Sequence, residues 1–256
     1  MKVVILAGGF GTRLSEETLI KPKPMVEIGN KPILWHIMKY YHHFGYNEFV
    51  IALGYKSEII KSYFLNYNQT DGDLFIDLKS KKIKHKQEIT QDWRIDLVET
   101  GLNTMTGGRV LRLKKVLGSE PFLLTYGDGL SNINLHELVE FHKSKDTFVT
   151  LSAVRPPARF GGIIFKGENI KSFAEKSQID EGWINGGFMV VEPEIFNYLS
   201  SDNDIFETQI LEKLSREKKL AAYKHHGFWQ CMDALRDKYF LESLWKEKKA
   251  EWKIWK

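Results

Sequence analysis

Short apolar runs alternate with amphipathic stretches along the first 154 residues, and this alternation limits the fold more than any other feature of the chain. Val3-Val4-Ile5-Leu6-Ala7 is a β-branched run that stops at Gly8-Gly9 and reads as a buried strand. Pro32 opens a helical pattern carrying Ile33, Leu34, Ile37, Met38 and Tyr41, with Gly45 as its expected stop. Residues 48–53 read as a second strand. Residues 56–66 read as a second helix, with Ile59, Ile60, Tyr63 and Phe64 on one face. Trp93, Ile95 and Leu97 alternate with polar residues at the period of a strand. Residues 109–117 and 135–143 read as helices, 121–125 and 148–154 as strands. Such an order builds parallel β-α-β units and predicts an α/β fold, a mostly parallel sheet flanked by helices. Ligands of such sheets sit beyond the carboxyl ends of the strands. Two loops at those ends stand out, residues 8–13 and 126–129.

The remainder is more mixed. Residues 162–165 and 170–174 flank Lys166-Gly167-Glu168-Asn169, a hairpin signal. Residues 183–191 form a strand interrupted by Gly186-Gly187, and 205–216 and 234–245 read as helices. No repeat or linker divides the 256 residues, so one domain is expected over 1–256, with a small helical appendage from 226.

Composition removes several classes. At 43% hydrophobic and 27% charged, the chain is that of a folded domain able to bury a core without staples. Its one cysteine, Cys231, excludes an internal disulfide framework and a cysteine metal site, and fits a reducing, cytoplasmic setting. A net charge of +4 is too mild to imply nucleic acid, though it suits anionic substrates. The apolar start is too short for a signal peptide. No stretch approaches the roughly 18 apolar residues of a membrane span, so no membrane partner is expected.

The loop Leu6-Ala7-Gly8-Gly9-Phe10-Gly11-Thr12-Arg13-Leu14 follows the first strand. Its glycines let backbone N–H groups approach a phosphate, and Arg13 adds a planar cationic fork. By itself such a cluster is also compatible with a tight turn. A Walker loop is excluded because Gly-Lys-Ser/Thr is missing. A dinucleotide fingerprint is excluded because Leu14 stands where its last glycine belongs. Downstream, Lys21-Pro22-Lys23-Pro24-Met25 holds Lys23 between two prolines. Prolines on both sides stiffen the backbone and fix where the ammonium points, which a solvated lysine does not need.

The glycine loop followed by the proline-flanked lysine resembles the signature of the sugar-1-phosphate nucleotidylyltransferases. Ser15-Glu16-Glu17-Thr18, Thr106-Gly107-Gly108-Arg109, Tyr126-Gly127-Asp128-Gly129 and Gly227-Phe228-Trp229-Gln230 resemble its glucose-1-phosphate cytidylyltransferase branch, and the likeness runs to Trp252-Lys253-Ile254-Trp255. The resemblance implies a Rossmann-like fold of the nucleotidyltransferase A type. It also implies CTP and α-D-glucose 1-phosphate as substrates, CDP-glucose and pyrophosphate as products, and Mg²⁺ as cofactor. The biosynthetic context it implies is CDP-linked dideoxyhexoses of bacterial surface polysaccharide. Residues 1–154 would mainly bind nucleotide, 155–225 sugar phosphate.

The resemblance also assigns roles. Leu6, Ala7, Gly8, Gly9, Phe10, Gly11, Thr12 and Arg13 would hold base, ribose and phosphates. Arg13 would grip the leaving pyrophosphate and Lys23 the reacting phosphate oxygens. Asp128 and Asp233 would bind Mg²⁺. Both carboxylates have ordinary readings too, Asp128 as a turn aspartate and Asp233 as a helix cap. Thr104, Thr106, Gly107 and Arg109 would contact the nucleotide, while Thr106 also suits a helix cap. Glu175, Lys176, Asn185 and Gly186 would bind the sugar and its phosphate, although Ser177 replaces the usual proline after the lysine. Two other readings stand beside this one. One is a uridylyl- or thymidylyltransferase on a related sugar phosphate. The other is a regulatory paralogue that binds without reacting, against which the joint presence of Arg13, Lys23, Asp128 and Asp233 argues.

Other features read as ordinary. Asp71-Gly72-Asp73 is expected to be a polar turn, and the basic run 79–86 a solvated hairpin. The loop 155–161 is expected at the substrate side or a subunit contact. His42-His43 and His225-His226 lack metal-ligand companions. Trp245, Trp252 and Trp255 suit either a subunit contact in a homo-oligomer or core packing.

Overall fold

The computed structural model describes residues 1–67, 73–86, 91–156, 162–166, 169–174 and 182–255. Its strands are β1 (Val3–Leu6), β2 (Glu27–Ile28), β3 (Lys31–Pro32), β4 (Glu48–Leu53), β5 (Asp73–Asp77), β6 (Lys82–Lys86), β7 (Arg94–Glu99) and β8 (Phe122–Tyr126). They continue with β9 (Gly129–Ser131), β10 (Val149–Val154), β11 (Gly162–Lys166), β12 (Asn169–Ala174), β13 (Ile184–Val191), β14 (Leu220–Lys224) and β15 (Trp229–Cys231). Seven of them form one sheet in the order β14-β10-β13-β8-β1-β4-β7. All its pairings are parallel except those of β13, which runs antiparallel to β8 and β10. The expected α/β fold is therefore present.

The sheet is buried on both faces, which is why its central strands read as continuous apolar runs rather than alternating ones. Val3 and Ile5 join one core with the helix Ile33–His43; Val4 faces a second core with Val110, Phe206 and Leu214. Gly45 stops that helix at φ +85°, as its position predicted. The helix expected at 109–117 starts earlier and is broken in two, Thr106–Arg112 and Lys114–Leu117. The run 205–216 is a π-helical turn, Phe206–Leu211, continuing as the helix Glu212–Arg216.

Of the C-terminal tryptophans, one is core. Trp252 is fully buried; it stacks on Phe228 and Trp245 and donates its indole N–H to His36. Trp255 packs edge-on to Trp35. Trp252 is core of this chain, and Trp245 and Trp255 pack half-buried against that core beside the helix Ile33–His43. Strands β11 and β12 pair as the expected hairpin, and β5 and β6 form a second one across the basic run. No helix of the described residues is long and apolar enough to cross a membrane.

Candidate active site

Four adjacent parallel strands, β8-β1-β4-β7, deliver their carboxyl-terminal loops to one place. A cavity of about 310 Å³ opens there, floored by the loop after β1 and walled by Lys23, Thr106, Tyr126, Asp128 and Asp233. Gly11 turns the glycine loop at φ +65°, a conformation that costs other residues more. Thr18 Oγ1 pins the loop by donating to the carbonyls of Gly11 (3.1 Å) and Leu14 (3.0 Å). Phe10 does not line the cavity. Its ring leans on Tyr55, with centroids 5.3 Å apart.

The charged centre is compact. Lys23 Nζ donates to Asp128 Oδ2 (2.6 Å) and Asp233 Oδ1 (2.9 Å), and Arg13 pairs with the other oxygen of Asp233. Two cations thus face two carboxylates. Chain order alone does not put Asp128 beside Asp233. The antiparallel pairing of β9 with β15 does so, setting Gly129 opposite Cys231, and Met232 N–H donates to the Asp128 carbonyl. Burial pulls the Lys23 ammonium down, but the two aspartates outweigh it and hold its pKa above the ordinary lysine value. Burial and the same aspartates push the Cys231 thiol up to about 11, so it stays protonated and is no nucleophile.

Asp233 is not the helix cap. Asp237 Oδ2 accepts the N–H groups of Asp233 (3.0 Å) and Ala234 (2.8 Å) at the start of Leu235–Lys246. The Asp233 carboxylate is thereby left to the cavity. Asp128 and Asp233 present hard oxygens side by side. Among the described residues no third His, Cys, Asp or Glu converges on them. This donor set fits a magnesium ion held by one or two carboxylates and completed by substrate phosphates, rather than an all-protein cage.

The residues after β7 divide into lining and scaffold. Arg109 is 4% exposed. Its guanidinium donates to the carbonyls of Leu53, Gly101, Gly8 and Leu102 and to Thr100 Oγ1. It ties the carboxyl ends of β1, β4 and β7 together, so the expected contact side chain is first a brace for the glycine loop. Gly107 N–H donates to the Asp204 carbonyl (2.8 Å), which takes it away from a ligand. Thr104 is buried and outside the cavity. Thr106 lines the cavity and does not cap its own helix. Its hydroxyl donates to Glu207 Oε2 (2.6 Å) and accepts the N–H of Phe206 (2.9 Å).

Glu207 was not foreseen. Its second oxygen accepts from the Tyr126 hydroxyl (2.6 Å), which in turn accepts from Asn185 Nδ2 (3.2 Å). Asn185 Oδ1 accepts the N–H of Gly187, whose φ is +90°. One carboxylate on a π-helical turn therefore links Thr106 to Asn185 at the start of β13. Gly186 offers its carbonyl to the Trp229 indole (2.8 Å). Glu175 and Lys176, Asp71 and Gly72 of the expected polar turn, and residues 157–161 lie outside the described residues, and Asp73 of that expected turn begins β5 instead.

The nucleotidyl transferase family matches this chain over residues 2–245. The chain belongs to that family. This nucleotidyl transferase is 46% identical, over the full length of both chains, to a protein of Salmonella typhimurium named glucose-1-phosphate cytidylyltransferase. It is 43% identical, again over both full lengths, to a Bacillus subtilis protein named probable glucose-1-phosphate cytidylyltransferase. The crystal structure of HddC from Yersinia pseudotuberculosis shares the transferase's fold with a TM-score of 0.69 and 24% identity, covering 95% of this chain and 99% of that one.

Proposed function

We infer that this nucleotidyl transferase moves the cytidylyl group of CTP onto α-D-glucose 1-phosphate, giving CDP-glucose and pyrophosphate. The likeness to the Salmonella typhimurium protein over its whole length carries the choice of substrates. The grouping of Arg13, Lys23, Asp128 and Asp233 around one cavity supports the chemistry.

The step is an in-line displacement. An oxygen of the sugar phosphate attacks the α-phosphorus of CTP, and the bond from that phosphorus to the β-phosphate bridge breaks. The attacking oxygen is already ionised, so no general base is required. The protein aligns the reactants and stabilises developing negative charge. The amides of Gly8, Gly9 and Gly11 seat the nucleotide in this reading. Lys23 leaves its aspartates for the reacting phosphate oxygens, and Arg13 leaves Asp233 for the departing pyrophosphate. The family is generally dependent on a divalent metal. Asp128 and Asp233, released from these cations, would hold Mg²⁺, which when bound neutralises phosphate charge and polarises phosphorus–oxygen bonds. Glu175, Lys176, Asn185 and Gly186 receive the sugar and its phosphate. Residues 1–154 mainly serve the nucleotide and 155–225 the sugar phosphate.

A cytoplasmic, homo-oligomeric enzyme feeding a surface-polysaccharide pathway completes this reading. Pyrophosphate release with glucose 1-phosphate and each of CTP, UTP, GTP, ATP and dTTP tests it. CTP supports the fastest release, and release with no nucleotide in the set removes the transferase reaction.

A further inference from the structure

Backbone packing holds Glu207 in place behind the cavity wall. Its neighbour Phe206 is fully buried in the second core, which anchors the π-helical turn Phe206–Leu211. The segment before that turn is docked on the start of the helix Thr106–Arg112. The Asp202 and Asp204 carbonyls accept the N–H groups of Met105 and Gly107, each at 2.8 Å. A Cβ on Gly107 would meet the Asp204 oxygen at 2.7 Å, and one on Gly108 the Asp202 oxygen at 2.4 Å, so this close docking needs both glycines. Thr106 and Tyr126 line the cavity, and Glu207 bonds both from outside the lining.

The direction of each hydrogen bond in this group is forced. A carboxylate only accepts, and a hydroxyl has one proton to give. Glu207 Oε2 takes the proton of Thr106 and Oε1 that of Tyr126, each at 2.6 Å. The other contacts agree. Phe206 N–H donates to Thr106 Oγ1 (2.9 Å), and Asn185 Nδ2 donates to the Tyr126 hydroxyl oxygen (3.2 Å). The Asn185 amide is fixed in this sense because its Oδ1 accepts the Gly187 N–H (2.9 Å). Burial, and after it the Glu207 charge, raises the Tyr126 pKa, so that proton stays on. Neither hydroxyl has a hydrogen left for the cavity, and each meets it with a lone pair.

We propose that Glu207 is a positioning residue that fixes this wall as acceptor-only, so that Thr106 and Tyr126 receive N–H or O–H groups of the substrates and reject acceptors at the same place. The substrates carry such donors as the exocyclic amine of cytosine, where uracil has a carbonyl oxygen, and as the hydroxyls of ribose and glucose. The proposal rests on the CTP and glucose 1-phosphate reading above. It adds a polarity that the residue types leave open, since an unattached hydroxyl turns to suit either kind of partner.

Glu207→Gln keeps the shape and exchanges one acceptor oxygen for an NH2 donor. One of the two hydroxyls must then accept from the amide, and its own hydrogen swings toward the cavity. Steady-state kinetics of the full chain with CTP, UTP and varied glucose 1-phosphate, beside melting curves, tests this. KM rises at least about tenfold for the substrate whose donor faces the reversed hydroxyl, while kcat stays within about threefold, as for a contact made equally in ground and transition states. A rise for CTP with none for UTP assigns the base amine. An equal rise for both assigns the ribose, and a rise for glucose 1-phosphate alone assigns the sugar. Thr106→Val and Tyr126→Phe remove the acceptors one at a time, and one of them reproduces the rise. Thr208→Ala, exposed on the same turn, changes no KM. Unchanged KM values in Glu207→Gln, or in both Thr106→Val and Tyr126→Phe, overturn the proposal and leave the reaction standing, whatever the melting temperatures. A wild type that turns over neither nucleotide overturns both.

Discussion

Lys23 Nζ lies 2.6 Å from Asp128 Oδ2, joining a proline-flanked turn after β1 to the loop after β8. The pair is neither fully buried nor freely solvated, with the two side chains 12% and 27% exposed. The same ammonium reaches Asp233 at 2.9 Å. Each carboxylate is thus matched by a cation, and in the proposed reaction a polyphosphate supplies those cations with other partners. In the proposed reaction, lysine and arginine turn from this cluster to substrate.

Lys23→Ala therefore loses turnover by on the order of a hundredfold or more, the equivalent of several kcal/mol of transition-state stabilisation. Circular dichroism stays as in the wild type. A near-normal kcat in this variant takes Lys23 out of the mechanism.

Asp128→Asn and Asp233→Asn each abolish most activity and leave the fold intact, since each removes one of the two charged oxygen donors facing the cavity. Excess chelator stops the wild-type reaction and added Mg²⁺ restores it. Full turnover in chelator contradicts the metal assignment for both residues.

Arg109 yields a prediction that separates bracing from contact. Lysine carries its donors on one nitrogen and cannot span carbonyls from three loops. Arg109→Lys costs about 2–4 kcal/mol of unfolding free energy because buried acceptors lose partners, and it raises KM for CTP. Gly54→Ala acts through the same brace. A methyl there would come 2.5 Å from Arg109 Nη1 and 2.6 Å from the Gly8 carbonyl. Gly9 has open space around its Cα, so Gly9→Ala melts as the wild type does. Equal melting of all three variants refutes the brace.

These relationships explain how much of the site the sequence displays. The glycine loop and the proline-flanked lysine are local patterns, and Asp128 follows a strand, so each is visible in a short window. Arg109 is visible as a cation after Gly107-Gly108, but its acceptors come from the ends of three strands and appear only once the sheet is assembled. Asp233 reads as a helix cap in the sequence, and only the fold gives that work to Asp237. Glu207 sits in an amphipathic helical run with no local mark that it faces Thr106 and Tyr126. The aromatic tail was ambiguous for the same reason. Burial of Trp252 depends on His36 and Phe228, both distant in sequence.

His36 gives a pH prediction. Its Nε2–H donates to the Ile28 carbonyl (2.8 Å), and its Nδ1 accepts the Trp252 indole N–H (3.3 Å), so the neutral ring is satisfied at both ends. Burial, as the main cause, lowers its pKa to about 4. Unfolded, the ring takes up a proton near pH 6.5. Between those values the unfolded chain binds more protons, so stability falls as pH falls through this window. The loss is on the order of 3 kcal/mol by pH 4. Denaturant unfolding at pH 7, 6, 5 and 4 checks this against His36→Gln, whose curve is shallower by that amount. Parallel curves contradict it.

The choice of nucleotide decides the product. A site that hydrogen-bonds one base edge rejects a mismatched edge, because its own polar groups would be left unpaired. UTP is the harder discrimination, since it exchanges donor and acceptor on the same ring, and some use of it is expected. The direct measurement is competition between CTP and dTTP at equal concentration, with glucose 1-phosphate in excess and products separated by chromatography. CDP-glucose exceeds dTDP-glucose by at least about tenfold; predominant dTDP-glucose would overturn the cytidylyl assignment.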